Sequence, residues 1–118
     1  EGDDARTQWH FRAEELREIT PEGAAASFRQ VGRPGASAIQ MLHERYAPGA
    51  DTGEEAYSHD GEEAGIVVEG EITISVGAET RVLRAGDAYL FNSRTAHRFH
   101  NAGSAACVIV SACTPPSF

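Results

Sequence analysis

The alternation Ile72-Thr73-Ile74-Ser75-Val76, set between Gly70 and Gly77, constrains this chain more than any other feature. Apolar side chains at every second position make a strand with one buried face; a helix would scatter them around its axis. Similar short runs recur at Gly65-Ile66-Val67-Val68, Thr80-Arg81-Val82-Leu83, Tyr89-Leu90-Phe91, His97 to His100 and Cys107 to Ala112. Turn residues separate them: Glu69-Gly70, Gly77-Ala78, Ala85-Gly86-Asp87 and Asn101-Ala102-Gly103. Ala38 to Tyr46 fits strand or helix on periodicity alone. Short strands with no long helix predict an all-β sandwich or barrel. No Cys-Trp-Cys spacing points to an immunoglobulin-like sandwich.

One domain suits 118 residues. Residues 1–35 read as an N-terminal arm or linker with a first edge strand, packing through Trp9 and Phe11; residues 36–118 read as the barrel. The net charge of −8, with no lysine, argues against direct nucleic-acid binding and permits a cationic ligand. Apolar runs are too short to span a membrane, and the acidic start Glu1-Gly2-Asp3-Asp4 is unlike a signal peptide. Cys107 and Cys113, on one extended segment, would lie about 20 Å apart, too far for a disulfide. Reduced thiols and a cytoplasmic location are therefore expected. The absence of an initiator Met suggests a processed product or a piece of a longer protein.

Two blocks carry the chemistry. The first is Gly53-x5-His59-Asp60-Gly61-Glu62-Glu63-x6-Gly70, and the second is Gly86-x5-Asn92-Ser93-Arg94-Thr95-Ala96-His97-x3-Asn101. In these blocks, over residues 36–114, the chain resembles the cupin superfamily. The resemblance implies a double-stranded β-helix, a jelly-roll barrel, with a site at His59, Glu63 and His97. Three positions depart from the family pattern: Gly61 stands where a second histidine is usual, Asn92 where a proline is, and Arg94 where a glycine is. Cupins with a His-x3-Glu pair and a later His form a two-His-one-carboxylate triad, which suits Fe(II), Mn(II), Ni(II) or Zn(II). The alternative is a metal-free pocket in which the same residues hydrogen-bond an organic ligand.

Around that triad, Glu62 competes with Glu63, since the two point to opposite faces of a strand. Glu63 is the expected inward carboxylate, with Gly65 on its side leaving room for a ligand. Tyr89, Phe91 and Phe99 are candidate lining residues and also candidate core. Tyr57, Glu62 and Arg94 are the candidates for acid or base chemistry, without a signature spacing. His10, His43 and His100 have no partner pattern, and the eight acids of residues 51–71 read as a solvated rim.

The stretches Tyr46 to Gly53, Ser58 to Ile72 and Ser111 to Phe118 are similar to the C-terminal sensor cupins of helix-turn-helix regulators of the XRE type, a class that includes repressors of putrescine utilisation. That resemblance implies a small-molecule effector, perceived in the barrel of a homodimer, with a polyamine as one candidate. It also implies DNA contact only through a helix-turn-helix upstream of Glu1. The competing expectation is a stand-alone metal-dependent cupin enzyme of oxygenase, isomerase or lyase type.

Overall fold

The computed structural model describes residues 8–20, 25–56 and 60–116. Their strands are β1 (Arg17–Ile19), β2 (Ala26–Gln30), β3 (Gln40–Tyr46), β4 (Glu62–Glu69), β5 (Glu71–Val76), β6 (Glu79–Arg84), β7 (Ala88–Asn92), β8 (His97–His100) and β9 (Cys107–Thr114). A short 3-10 turn at Ala13–Glu15 precedes β1. The strands form a six-stranded sheet, β1-β2-β3-β9-β4-β7, and a three-stranded sheet, β6-β5-β8. Every pairing is antiparallel. This is the two-sheet all-β barrel that the alternating runs predict.

The core lies between the sheets. Ile72 and Ile74 of β5 share it with Val67 of β4, Cys107 and Ile109 of β9, and Leu42 and Tyr46 of β3. Residues 40–46, ambiguous by period, form a strand because β2 and β9 hydrogen-bond to its two edges. Gln40, Leu42, Glu44 and Tyr46 then point inward. Phe28 pairs across the ladder with Glu44, so the segment before residue 36 also supplies core. The expected anchor Trp9 does not join the core: it is 85% exposed and meets the His10 ring at a tilt of 56°. Phe11 is half-buried beside Gly32. The cysteines are free thiols, both on β9.

The segment from Gly49 to Glu55 runs beside β8 like an extra strand. Gly49, Thr52 and Glu55 donate backbone N–H bonds to Asn101, Phe99 and His97, and His97 and Asn101 donate back to Glu55 and Ala50. Arg98 pins this strap through both oxygens of Asp51. Asn101, fully buried, closes the same corner: its Nδ2 donates to the carbonyls of Tyr46 (3.0 Å) and Ala105 (2.9 Å), and its Oδ1 accepts from Gly103 N. Asn101→Ala removes the partner of three backbone groups, and a stability loss of about 3 kcal/mol is expected by urea denaturation. A loss below about 1 kcal/mol would contradict the clamp role.

Candidate functional site

β4 alternates Glu63, Gly65 and Val67 inward with Glu62, Ala64 and Ile66 outward. Glu63 is therefore the inward carboxylate of the pair; its side chain is 17% exposed and reaches 3.8 Å from His97 Nε2. Glu62 is exposed on the outer face and does not enter the interior. His97 opens β8 and is 3% exposed. Its Nδ1 lies 2.7 Å from the Thr95 carbonyl. A carbonyl only accepts, so Nδ1 carries a hydrogen toward Thr95, and in the neutral ring Nε2 is the acceptor nitrogen. Glu55 of the strap brings a second carboxylate to 4.0 Å from the same Nε2. His59 and Tyr57 lie outside the described residues. Among the described residues no three His, Cys, Asp or Glu side chains converge closely enough to hold a metal.

Gly65 has a different use from the one its size suggests. A Cβ there would overlap the Tyr89 hydroxyl and lie 2.5 Å from Cζ. The space over Gly65 is therefore filled by the Tyr89 phenol, not left for a ligand. From Tyr89 an aromatic chain crosses the interior: it meets Phe99 edge-on at 5.2 Å and Phe91 at 5.8 Å, and Phe91 meets His97 at 5.0 Å. Phe99 is buried core, while Tyr89 and Phe91 pack against that core and remain partly open. Burial first, then the charges of Glu44 and Glu63, hold the Tyr89 hydroxyl far above its ordinary range, so it stays a neutral donor.

The residue that sequence reasoning missed is Glu44. It sits on β3 with 6% exposure, one oxygen accepting from Tyr46 Oη at 2.7 Å and the other from Ser111 Oγ. Burial pushes its carboxyl up to about 7, against two hydroxyl bonds that lower it and with the Glu63 charge raising it further. The Tyr46 hydroxyl is raised in turn by burial and by Glu44. No arginine is buried among the described residues. The signal for Glu44 was present: an acid at an inward position of the Gln40-Leu42-Glu44-Tyr46 alternation. Reading that segment as strand or helix hid it.

The motif departures have local causes. A Cβ at Gly61 would lie 2.9 Å from the Thr114 carbonyl oxygen and 3.1 Å from Pro115 Cδ, so no histidine fits there. Asn92 replaces a turn proline by bonding: its Oδ1 accepts from Arg94 N and its carbonyl from Thr95 N. Arg94 is exposed and paired with Asp60 at 3.4 Å.

The family model described as Cupin domain matches residues 42–113. The HTH-type transcriptional regulator PuuR of Escherichia coli (strain K12) is 36% identical over 105 residues, which cover 89% of this chain and 56% of the regulator. The chain thus spans little more than half the length of that relative. The Cupin_2 domain of an XRE family transcriptional regulator from Enterobacter cloacae superposes with a TM-score of 0.69 at 21% identity, covering 78% of this chain and 98% of that domain. A predicted oxalate decarboxylase from Thermotoga maritima superposes with a TM-score of 0.78 at 14% identity, covering 92% of this chain and all of the other (100%). At these identities the superpositions speak for the fold alone. No helix among the described residues is long and apolar enough to cross a membrane.

Proposed function

This chain belongs to the cupin family, and we propose that it is the effector-binding domain of a transcription regulator, taking a small cationic metabolite of the polyamine class into its barrel. The observation that carries the reading is the buried carboxyl of Glu44, held by two neutral hydroxyls and close enough to Glu63 to feel its charge. Ionising such a carboxyl without a cation is costly, and an ammonium group relieves that cost. Tyr89, Phe91 and Phe99 offer the apolar wall that methylenes require. In this reading the DNA-binding helix-turn-helix belongs to a preceding part of the protein, the regulator works in the cytoplasm as a homodimer, and the effector acts by favouring one of two states of the whole.

Isothermal titration with α,ω-diamines, monoamines and amino acids tests the site. A micromolar diamine is expected, and Glu63→Gln or Glu44→Gln should weaken it at least tenfold, about the value of one charged hydrogen bond. No heat from any cation would overturn the reading.

A second reading, a metal-dependent cupin, is favoured by one observation. The Thr95 carbonyl holds the Nδ1 hydrogen of His97, the outer-sphere bond that a histidine binding a metal through Nε2 ordinarily makes. His97 and Glu63, together with His59, would hold a divalent Fe, Mn, Ni or Zn, which would supply Lewis acidity when bound. The donors suit such an ion in type, though 3.8 Å between Nε2 and the Glu63 oxygen is wider than adjacent ligands of one ion adopt. Elemental analysis after metal-replete purification decides. About one metal per chain, lost in His97→Ala, supports this reading; near-zero metal removes it.

A further inference from the structure

A buried polar group is ordinarily hydrogen-bonded, because desolvation without a partner is costly. Gln30 departs from this. The residue is 3% exposed, and among the described residues nothing donates to its Oε1. Arg17, opposite it on β1, is exposed and gives it no bond. Alternation on β2 buries Ala26, Phe28 and Gln30 and leaves Ser27 and Arg29 half-buried. The ladder partners of the buried set are Tyr46, Glu44 and Leu42, all inward, so Gln30 stands on the interior face.

Its neighbours on that face belong to the proposed cation site. Glu44 pairs with Phe28, two residues before Gln30. Diagonal neighbours of this kind, on one face of an antiparallel pair, lie about 7–8 Å apart. Both side chains are long, so one nitrogen between them is within reach of each. Glu44 directs one oxygen to Tyr46 Oη and the other to Ser111 Oγ, and neither to Gln30. A carboxylate has lone pairs to spare beyond those two bonds, and a primary ammonium brings three N–H donors. Once the carboxylate has taken its share, an N–H is left for another acceptor. The terminal torsion of a glutamine is broad, so the Gln30 amide turns toward such a donor at little cost.

We infer that Gln30 Oε1 accepts a hydrogen bond from the ammonium group held at Glu44, and that it selects primary ammonium groups over N-methylated ones. The inference rests on the effector reading above and states which feature of the effector the barrel reads. Glu44 responds to charge, and Gln30, being neutral, responds to the number of N–H donors. A dimethylated ammonium keeps its charge but has a single N–H, which the carboxylate takes. Gln30 then stays buried and unbonded, and the binding free energy carries that cost.

Isothermal titration near pH 7 tests the assignment with two probes: an α,ω-diamine, and the same diamine dimethylated at both nitrogens. The wild-type chain is expected to bind the primary diamine at least tenfold more tightly, the size of one lost hydrogen bond to a charged group. Gln30→Met keeps the length of the side chain but offers only a weak acceptor, and its preference should fall to about threefold or less. Melting of the unliganded chains separates recognition from structure. Replacing an unbonded buried amide by an apolar side chain of similar shape is neutral or stabilising, so Gln30→Met should melt no lower than the wild type. A Gln30→Met chain that melts several degrees lower, or does not fold, would mean that the fold already supplies Oε1 with a partner, and would overturn the assignment. Equal preferences in the two proteins would overturn it while leaving the effector reading intact. A wild-type chain that binds no amine would overturn both.

Discussion

Gly70→Ala is expected to cost about 3 kcal/mol or more, a large share of the total stability of a domain this size. Two separate penalties fall on this position, which ends the first motif. Its φ is +79°, where a Cβ costs about 1–2 kcal/mol. The same Cβ would overlap the Ala106 carbonyl oxygen and lie 3.1 Å from Cys107 Cα. Neither neighbour yields easily. Cys107 is fully buried and pairs with Tyr46 on β3, while Val108 pairs with Glu69. Overpacking against such a backbone adds about 1–3 kcal/mol. Gly86 provides the control: its φ is +95°, but no atom lies within 4 Å of a Cβ placed there. Gly86→Ala should therefore show only the conformational penalty. Urea denaturation of both variants measures the difference, and equal losses would mean that the contact with residues 106–107 is not what demands the glycine.

The second large effect is a pH dependence carried by Glu44. Burial raises its folded value to about 7 from 4.5, so the folded chain holds a proton that the unfolded chain releases earlier. Below about pH 4.5 the carboxyl is protonated in both states, and its burial has no ionic cost. As pH rises from 4.5 to 7 the unfolded state loses that proton first, and stability falls by about 3 kcal/mol; above 7 the loss is complete. Glu44→Gln removes the ionisation at nearly constant volume. The melting temperature of the wild-type chain, relative to this variant, should drop by about 10 °C or more between pH 4.5 and 8. A parallel pH profile in the two proteins would show that Glu44 is already ionised in the fold. A bound cation should reverse the trend, because it favours the ionised form, and its binding near pH 7 should release protons measurable in buffers of different ionisation enthalpy.

Both predictions fall on positions that the chain displays unequally. Gly70 belongs to a motif whose spacing is visible in one dimension, and its left-handed φ follows from the tight link between β4 and β5. Its carbonyl contact does not, since Ala106 is far along the chain and arrives just ahead of β9. Glu44 carries no motif. An acid inside an ambiguous apolar segment looks like a surface residue until β2 and β9 flank it and the parity sends it inward. That Glu62 and Glu63 face opposite ways was legible from parity, because their strand is β-branched and bounded by turns; Ile66, Val67 and Val68 are apolar on both faces, so parity alone does not say which acid is inward. Gly65 was legible as an absence of side chain, but its filling by Tyr89 was not, because Tyr89 arrives on another strand.

What the sequence determined by itself is local and periodic: strands where apolar residues alternate, turns where glycine and asparagine stand, the two motif blocks, and Glu63 facing the side of Gly65 and Val67. Alternation does this because a strand's side-chain period is fixed by backbone geometry. What only the tertiary structure decided is which residues meet. Glu44 meets Tyr46 and Ser111, and Glu55 reaches His97 through the strap. Gly61 packs against the Thr114 carbonyl and the Pro115 ring, and the register of β2 on β3 sets Gln30 diagonal to Glu44. Most of these meetings join residues far apart in the chain. They depend on strand order and register, which the side-chain period of a single strand does not encode.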